Sequence, residues 1–112
     1  MSEKELAIDS RVSLGDGNSM PLLGLGTWAA QPGGETRDAV AFALETGYRH
    51  IDTARKYGSE KWVGEAIRNT SISREEIWVT TKVTEENAKA DDFARSVDKS
   101  LKTMQLNYVD LL

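Results

Sequence analysis

The length, composition and charge of the chain predict one small globular domain. Its 112 residues are 39% hydrophobic and 29% charged, a balance that is typical of folded proteins and excludes a disordered chain. The 18 acidic and 14 basic residues are interspersed and give a net charge of -4, so we expect no nucleic-acid partner.

The N-terminal segment and the absence of cysteine bear on localisation. Residues 1–10 include charged side chains and no apolar stretch, unlike a secretory signal. No run of the sequence approaches the roughly 18 apolar residues of a membrane span. The chain has no cysteine, which excludes a disulfide framework and a thiolate metal site. We therefore expect a cytoplasmic protein without a membrane partner.

The first predicted elements are a hairpin and a buried strand. Residues 15–18 read Gly-Asp-Gly-Asn and lie between short apolar stretches, a pattern typical of a hairpin turn. We predict a hairpin over about residues 10–21. The apolar run Leu22–Trp28 comes next and is typical of a strand that is buried on both faces, so we predict the first core strand there.

Two helices and a second strand follow along the chain. Apolar residues recur at helical spacing before Gly47, a glycine suited to end a helix. They are Val40, Ala43 and Leu44, with Ala39 and Phe42 beside them. His50–Ala54 is the second predicted strand, and Ser59 is the predicted N-cap of a second helix. The apolar stripe of that helix consists of Trp62, Val63, Ala66 and Ile67.

A third strand and a third helix continue the alternation. Ser73 and Glu76 have the spacing of a capping box for a single turn, and the β-branched run Ile77–Val83 predicts the third strand. A third helix is predicted from about Asp91. Its apolar face consists of Phe93, Val97, Leu101 and Met104. Tyr108–Leu112 predicts the start of a fourth strand.

The alternation of strands and helices predicts an α/β fold with a parallel sheet and right-handed crossovers. Three βα units and the start of a fourth strand fit either an open doubly wound sheet or a segment of an eight-unit barrel. Gly24 and Gly26 do not form a dinucleotide fingerprint, because the third glycine is not at the expected spacing and no helix begins at once. This weakens the doubly wound alternative.

Three ionisable residues are predicted at the carboxyl ends of neighbouring strands: Asp52, Tyr57 and Lys82. The carboxyl ends of parallel strands form one rim, where enzymes with such sheets build their sites. A lysine inside an apolar strand is costly unless it is paired, so we predict that Lys82 pairs with Asp52 on the adjacent strand. A purely structural ion pair is the alternative for these residues taken alone.

The same residues suit the reduction of a carbonyl group. Hydride addition leaves charge on the carbonyl oxygen, and a positioned proton donor lowers that barrier. A tyrosine has an ordinary pKa of about 10, which a neighbouring cation lowers by favouring the phenolate. Lys82 is the predicted cation for Tyr57, and Asp52 is predicted to keep the ammonium protonated. The hydride must come from a cofactor, because no side chain provides one.

Other residues with reactive or aromatic side chains have structural interpretations. His50, the only histidine, is predicted to pack within its strand, and Trp62 and Trp78 are predicted to pack in the core. Trp28 ends a strand next to the predicted rim. It lines a pocket there or packs in the core, and spacing alone leaves both interpretations open.

The longest ordered motif begins at Gly47. It reads Gly-Tyr-Arg-His-Ile-Asp-Thr-Ala over residues 47–54 and continues with Tyr57-Gly58, Glu60, Val63-Gly64 and Glu65-Ala66-Ile67. This motif resembles the aldo-keto reductase signature. Residues 20–28 and 77–83 resemble the first and third strands of that family, so the resemblance covers about residues 10–112.

The resemblance implies a fold and an activity. The family has a TIM-type (β/α)8 barrel with a hairpin that caps its base, and it reduces aldehydes and ketones, usually with NADPH. By position, the resemblance implies that Tyr57 is the proton donor, that Lys82 lowers the pKa of Tyr57, and that Asp52 orients Lys82.

The resemblance also implies cofactor and substrate contacts. Gly26, Thr27 and Asp52 match positions that border the nicotinamide end of the site, and Trp28 resembles the aromatic wall of the substrate pocket. Thr84 stands where many relatives have a substrate-contacting residue, which leaves the substrate specificity open.

The length of the chain departs from the family. A complete barrel takes roughly 200 residues or more. The family's fourth catalytic residue, a histidine, comes just past Tyr108–Leu112, where this sequence ends. We therefore predict a single partial domain over residues 1–112, inactive or nearly so alone, whose exposed sheet edge allows self-association. The alternative is a non-catalytic cofactor-sensing module, or a partial barrel completed by another chain.

Overall fold

The computed structural model describes residues 5–31 and 33–112. Part of the charged N-terminal segment, residues 1–4, and Pro32 lie outside the described residues. The strands are β1 (Arg11–Ser13), β2 (Ser19–Pro21), β3 (Leu25–Gly26), β4 (His50–Asp52) and β5 (Trp78–Thr80). The helices are α1 (Gly34–Thr46), α2 (Glu60–Asn69) and α3 (Ala90–Met104). None of the described helices has the length and hydropathy needed to cross a membrane.

An antiparallel hairpin forms where the sequence predicts one. β1 pairs with β2, and Val12 lies opposite Met20. The backbone N–H of Leu14 donates to the carbonyl oxygen of Asn18 at 2.7 Å and closes the loop. Gly17 adopts a φ of 89° in this loop, a conformation that glycine reaches without steric cost. The Asp-Gly pair therefore marks the turn.

The central sheet is parallel, with the strand order β3-β4-β5. Gly26 is the register partner of Asp52, and Asp52 is the register partner of Thr80. β1 and β2 form a separate two-stranded sheet. The fold is therefore an α/β arrangement in which the described parallel strands end at the same level.

The first core strand is shorter than predicted. Of the run Leu22–Trp28, only Leu25–Gly26 joins the sheet. Leu22 and Leu23 are 54% and 42% exposed. The backbone N–H of Leu22 donates to Ser10 next to the hairpin, and that of Ala30 closes a turn on Thr27, so the residues on both sides of β3 have partners outside the sheet. β5 is likewise confined to three of the seven residues in the predicted run 77–83.

The fourth predicted strand contributes a single parallel bridge, between Thr80 and Leu111. A regular ladder would have a backbone carbonyl accept the N–H of Val79. Here the carboxylate of Asp110 accepts it at 2.8 Å. The predicted strand over Tyr108–Leu112 is therefore only partly formed, because a side chain takes the place of a main-chain partner.

The hydrophobic core combines the sheet with residues from all three helices. Its members are Val40, Leu44, Ile51, Val63, Ala66, Ile67, Ile77, Val79 and Met104. The apolar stripes predicted for α1 and α2 supply five of these. Ala39 and Phe42 are the exceptions on α1, because both residues are exposed, Phe42 to 70%. Gly47 ends α1 with a φ of 121°, as its position predicts.

The face that α3 buries differs from the predicted one. Ser96, Ser100 and Met104 are buried, whereas Phe93 is 40% exposed. The cause is the close approach of α2, since a Cβ added at Gly64 would overlap the backbone of Met104. Small side chains on α3 allow this approach, so the buried stripe contains serines in place of the larger apolar residues.

Ser59 and Ser73, which the sequence predicts as helix caps, make no side-chain cap bond. Ser59 precedes α2 without a side-chain cap, and its hydroxyl contacts the Oγ1 of Thr27 at 3.5 Å. Ser73 precedes the 3-10 turn Arg74–Glu76, again without a side-chain cap bond. The predicted single turn is present, but the reciprocal bonds of a capping box are not formed by Ser73.

Candidate active site

Three of the predicted site residues lie together at the carboxyl end of the sheet. Asp52 is the last residue of β4, and Tyr57 is the last residue of the 3-10 turn Arg55–Tyr57. Lys82 lies two residues beyond the end of β5, whereas the sequence predicted it inside the strand. Because neighbouring parallel strands end on the same side, these residues share one rim.

The ammonium group of Lys82 is held by Asp52. Its Nζ donates to both carboxylate oxygens of Asp52 at 2.9 Å and to the carbonyl oxygen of Thr53 at 3.2 Å. The side chains of Lys82 and Asp52 are 48% and 36% exposed. A pair this exposed contributes only about 0–1 kcal/mol to stability. Its main effect is therefore to fix the position of the ammonium.

The aromatic ring of Tyr57 lies beside this ammonium. The Nζ of Lys82 is 5.4 Å from the ring centroid, within the range of a cation–π contact. The backbone N–H of Arg55 donates to the carbonyl oxygen of Lys82 at 3.3 Å and ties the turn to the end of β5. Gly58 ends the turn in the left-handed region, with a φ of 72°. Backbone contacts thus hold Tyr57 next to Lys82.

The electrostatic environment of Lys82 keeps it charged. Burial alone would lower the pKa of Lys82, but the hydrogen bond and the negative charge of Asp52 outweigh burial, and Tyr57 adds to their effect. The pKa of Lys82 is therefore raised above its ordinary value of 10.5. A cation that persists at neutral pH is the species that stabilises negative charge on a neighbouring oxygen.

Gly26 and Thr27 lie beside Asp52 on the adjacent strand. The backbone N–H and the Oγ1 of Thr27 both donate to the carbonyl oxygen of Asp52, each at 3.0 Å. A Cβ added at Gly26 would meet no atom within 4 Å, so the rim is open next to this residue. Trp28 follows in a turn and is 76% exposed.

His50 packs within the structure as the sequence predicts. Its Nε2 is 2.8 Å from the Oγ1 of Thr80, and its Nδ1 is 3.3 Å from the carbonyl oxygen of Pro21. Its ring meets the ring of Trp78 edge to face at a centroid distance of 6.3 Å. With both nitrogens in contact with these oxygens, His50 links the hairpin to the sheet.

Glu60 is a buried residue near the rim that no pattern in the sequence predicts. Its side chain lies in the first turn of α2 and the residue is only 5% exposed. The Oε2 of Glu60 accepts a hydrogen bond from Thr81, and the Oε1 accepts one from Ser100. A glutamate in the first helical turn is ordinarily a solvent-exposed partner of the helix dipole, so the sequence carries no signal for its burial.

Comparison with known proteins shows the family. The model of the aldo/keto reductase family matches residues 22–112, so the chain belongs to this family of oxidoreductases. It is 46% identical over 100 residues to the 9,11-endoperoxide prostaglandin H2 reductase of Trypanosoma cruzi (strain CL Brener). That alignment covers 89% of this chain and 35% of the relative. The chain spans about a third of the length of the curated relatives it matches.

Another relative and two crystal structures agree with this assignment. The chain is 46% identical over 100 residues to aldo-keto reductase family 1 member A1 of Xenopus tropicalis, covering 85% of this chain and 30% of the relative. The aldo/keto reductase from Brucella melitensis superposes with a TM-score of 0.84 at 42% identity, over 89% of this chain and 39% of that one. MGS-M4, an aldo-keto reductase enzyme from a Medee basin deep-sea metagenome library, superposes with a TM-score of 0.83 at 42% identity. This superposition covers 89% of this chain and 36% of that one.

Proposed function

We propose that this chain forms part of an NADPH-dependent reductase of aldehydes and ketones, with Tyr57 as the proton donor. The observation that carries the proposal is the Lys82 ammonium, which lies 2.9 Å from both oxygens of Asp52 and 5.4 Å from the Tyr57 ring centroid. Family membership supports the oxidoreductase class. The preference for NADPH over NADH rests on the family resemblance.

The proposed chemistry assigns a different task to each of three residues. NADPH, when bound, supplies the hydride that adds to the carbonyl carbon. The hydroxyl of Tyr57 donates its proton to the carbonyl oxygen as negative charge develops there. Lys82 stabilises the phenolate that remains, and Asp52 holds the ammonium in position. The product is an alcohol, and solvent restores the proton of Tyr57.

The residues beside Asp52 fit the nicotinamide end of such a cofactor. Gly26 leaves open space at the rim, and Thr27 is anchored to the Asp52 carbonyl oxygen, so neither residue obstructs a flat ring there. Trp28, at 76% exposure, is available to line a substrate pocket. We propose Gly26, Thr27 and Asp52 as cofactor contacts and Trp28 as a substrate contact.

We also propose that residues 1–112 form the N-terminal part of a TIM-type (β/α)8 barrel. The parallel order β3-β4-β5 and the crossover helices α1 and α2 support this, as does the superposition on aldo-keto reductases. A barrel of this kind takes roughly 200 residues or more. The 112 residues alone are therefore proposed to be inactive or nearly so.

The direct test is NADPH oxidation with 4-nitrobenzaldehyde, a reactive aromatic aldehyde, followed by absorbance. The full-length gene product and residues 1–112 are compared at equal concentration. We expect turnover by the gene product and a rate at least about 10²-fold lower for residues 1–112 expressed alone, because a barrel of roughly 200 residues or more is needed to place cofactor and substrate against Tyr57. No turnover by the gene product would refute the reductase assignment. Equal rates would refute the inactivity of residues 1–112.

An exposed apolar surface favours self-association as a second function of residues 1–112 alone. Leu6, Ile8, Leu22 and Leu23 line one surface depression, with exposures of 81%, 38%, 54% and 42%. Large exposed apolar patches mark interaction sites, and an unpaired strand edge adds backbone donors and acceptors. We propose a second copy of the chain as the partner. Size-exclusion chromatography with light scattering should give a dimer mass, and a monomer at high concentration would refute it.

A further inference from the structure

The most deeply buried carboxylate close to the candidate site belongs to Glu60. It lies in α2 three residues after Tyr57 and is 5% exposed. Its Oε2 accepts a hydrogen bond from the Oγ1 of Thr81 at 2.7 Å, and its Oε1 accepts one from the Oγ of Ser100 at 3.1 Å. A buried carboxylate is costly unless hydrogen bonds replace its hydration. Each oxygen of Glu60 has such a bond.

The two bonds of Glu60 lead to different parts of the molecule. Thr81 is 2% exposed and directly precedes Lys82. The backbone N–H of Thr81 also donates to the carbonyl oxygen of Leu111 at 3.1 Å, which holds the segment from the other side. Ser100 is 3% exposed and lies in the C-terminal half of α3. One bond therefore ends next to the candidate site, and the other ends in a packing contact between helices.

The position of the Lys82 ammonium depends on the backbone at residues 81 and 82. The side chain of Lys82 is 48% exposed and has several rotatable bonds, so packing alone does not fix its conformation. The Glu60–Thr81 bond fixes the residue that directly precedes Lys82, and it joins that residue to α2, the helix that follows Tyr57. Satisfied buried polar contacts of this kind rigidify their surroundings.

We propose that Glu60 is a positioning residue for the reaction, acting through Thr81 to hold the Lys82 ammonium beside Tyr57. The inference rests on the proposed function, because it assumes that Lys82 assists proton transfer from Tyr57. It assigns Glu60 no contact with substrate or cofactor. Its second bond, to Ser100, serves the packing of α2 against α3 and has no part in positioning Lys82.

The test compares three variants of the full-length gene product. Thr81→Val removes the hydroxyl at nearly constant volume, Thr81→Ser keeps it, and Ser100→Ala removes the other donor to Glu60. The readouts are kcat for 4-nitrobenzaldehyde, the Kd for NADPH from fluorescence titration, and the Tm. We expect kcat of Thr81→Val to fall roughly tenfold with Kd unchanged, since displaced catalytic groups lose about tenfold to 10²-fold. We expect Thr81→Ser to restore most of kcat, and Ser100→Ala to lower the Tm alone.

The outcomes separate this inference from the proposed function. An unchanged kcat in Thr81→Val, or an equal loss of kcat in Ser100→Ala, would overturn the positioning role while the reductase assignment stands. If Thr81→Val does not fold, Glu60→Met is measured in its place, because it keeps the approximate size of the side chain and has no oxygen that accepts the Thr81 hydroxyl. Its kcat is expected to fall, and an unchanged kcat would overturn the inference. No turnover by the unsubstituted gene product would instead refute the proposed function itself.

Discussion

Lys82 and Asp52 meet symmetrically, with the Nζ of Lys82 2.9 Å from each carboxylate oxygen of Asp52. Asp52 ends β4 and Lys82 follows the adjacent parallel strand β5, and Tyr57 lies in the turn after β4. A bidentate contact restricts the ammonium more than a single hydrogen bond does, because two acceptors at equal distance fix its direction as well as its separation. The pair therefore fixes the position of the positive charge at the rim.

Asp52→Asn should impair reduction by removing the negative charge from this pair. The amide keeps one acceptor oxygen for the ammonium but no longer favours its charged form, and the second oxygen contact is lost. We expect kcat/KM for aldehyde reduction to fall about 10²-fold, similar to the loss of one preorganised electrostatic contact. Asp92→Asn is the matched control, because Asp92 pairs with Arg95 on α3. An activity loss in the control equal to that of Asp52→Asn would contradict a specific role for Asp52.

Lys82 also makes the stability of the folded chain vary with pH in the alkaline range. The pKa of Lys82 is raised in the folded chain above its ordinary value of 10.5. The contribution of Lys82 to the free energy of unfolding is therefore complete below pH 10.5 and is lost as the pH rises through the raised pKa. We expect the difference in unfolding free energy between wild type and Lys82→Gln to shrink across that range. Urea unfolding at neutral and strongly alkaline pH measures it. A difference that grows with pH would contradict the direction of the shift.

Gly64→Ala should weaken the packing of α2 against α3. An added Cβ would overlap the backbone of Met104, which has no flexible end that can move aside. Overpacking of this kind costs roughly 1–3 kcal/mol or more, although alanine has the better helix propensity. Gly15→Ala is the control, because a Cβ there meets no atom within 4 Å. Chemical denaturation of both variants measures the effect, and equal stability would show that the helices separate without cost.

Arg74→Met should release the last residues of the chain from β5. The guanidinium donates to the carbonyl oxygens of Ile77 and Tyr108 at 2.6 and 2.8 Å and to the carboxylate of Asp110 at 3.0 Å. It also lies 4.1 Å from the Tyr108 ring centroid. Hydrogen bonds to charged groups contribute about 1.5–3 kcal/mol each at most, and their loss here leaves a partly buried carboxylate without its cation.

The expected result for Arg74→Met is a loss of roughly 2–3 kcal/mol in unfolding free energy, with faster amide exchange at Thr81 and Leu111. Arg95→Met is the matched control. The side chains of Arg95 and Asp92 are 71% and 40% exposed, so Arg95→Met should change the free energy of unfolding by no more than about 0.5 kcal/mol. Unchanged amide exchange in Arg74→Met would show that other contacts hold the segment.

The sequence predicted the elements whose signals are local. The spacing of Val40 and Leu44 and the glycine at position 47 define α1, because periodic burial and a left-handed stop both follow from neighbouring residues. The order of strands and helices, and the position of Asp52 and Lys82 at strand ends, follow from the same patterns. A parallel topology then brings both residues to one rim without further information.

The features that the sequence did not predict depend on contacts between distant residues. The burial of Ser96 and Ser100 on α3 requires the close approach at Gly64, which periodicity does not encode. The burial of Glu60 requires donors from two other elements. The short β3 depends on the hydrogen bonds that its flanking residues make to Ser10 and within a turn. In each case, tertiary contacts override the structure that the local sequence favours.

Replacing Tyr57 by phenylalanine removes one oxygen atom and leaves the ring beside Lys82. In the full-length gene product, NADPH oxidation with 4-nitrobenzaldehyde gives kcat, and fluorescence titration gives the Kd for NADPH. We predict that kcat of Tyr57→Phe falls by about 10²-fold or more while this Kd is unchanged, because a positioned proton donor contributes that much. Tyr48→Phe, outside the candidate site, should keep full activity. An undiminished kcat in Tyr57→Phe would contradict the role of Tyr57 as the proton donor.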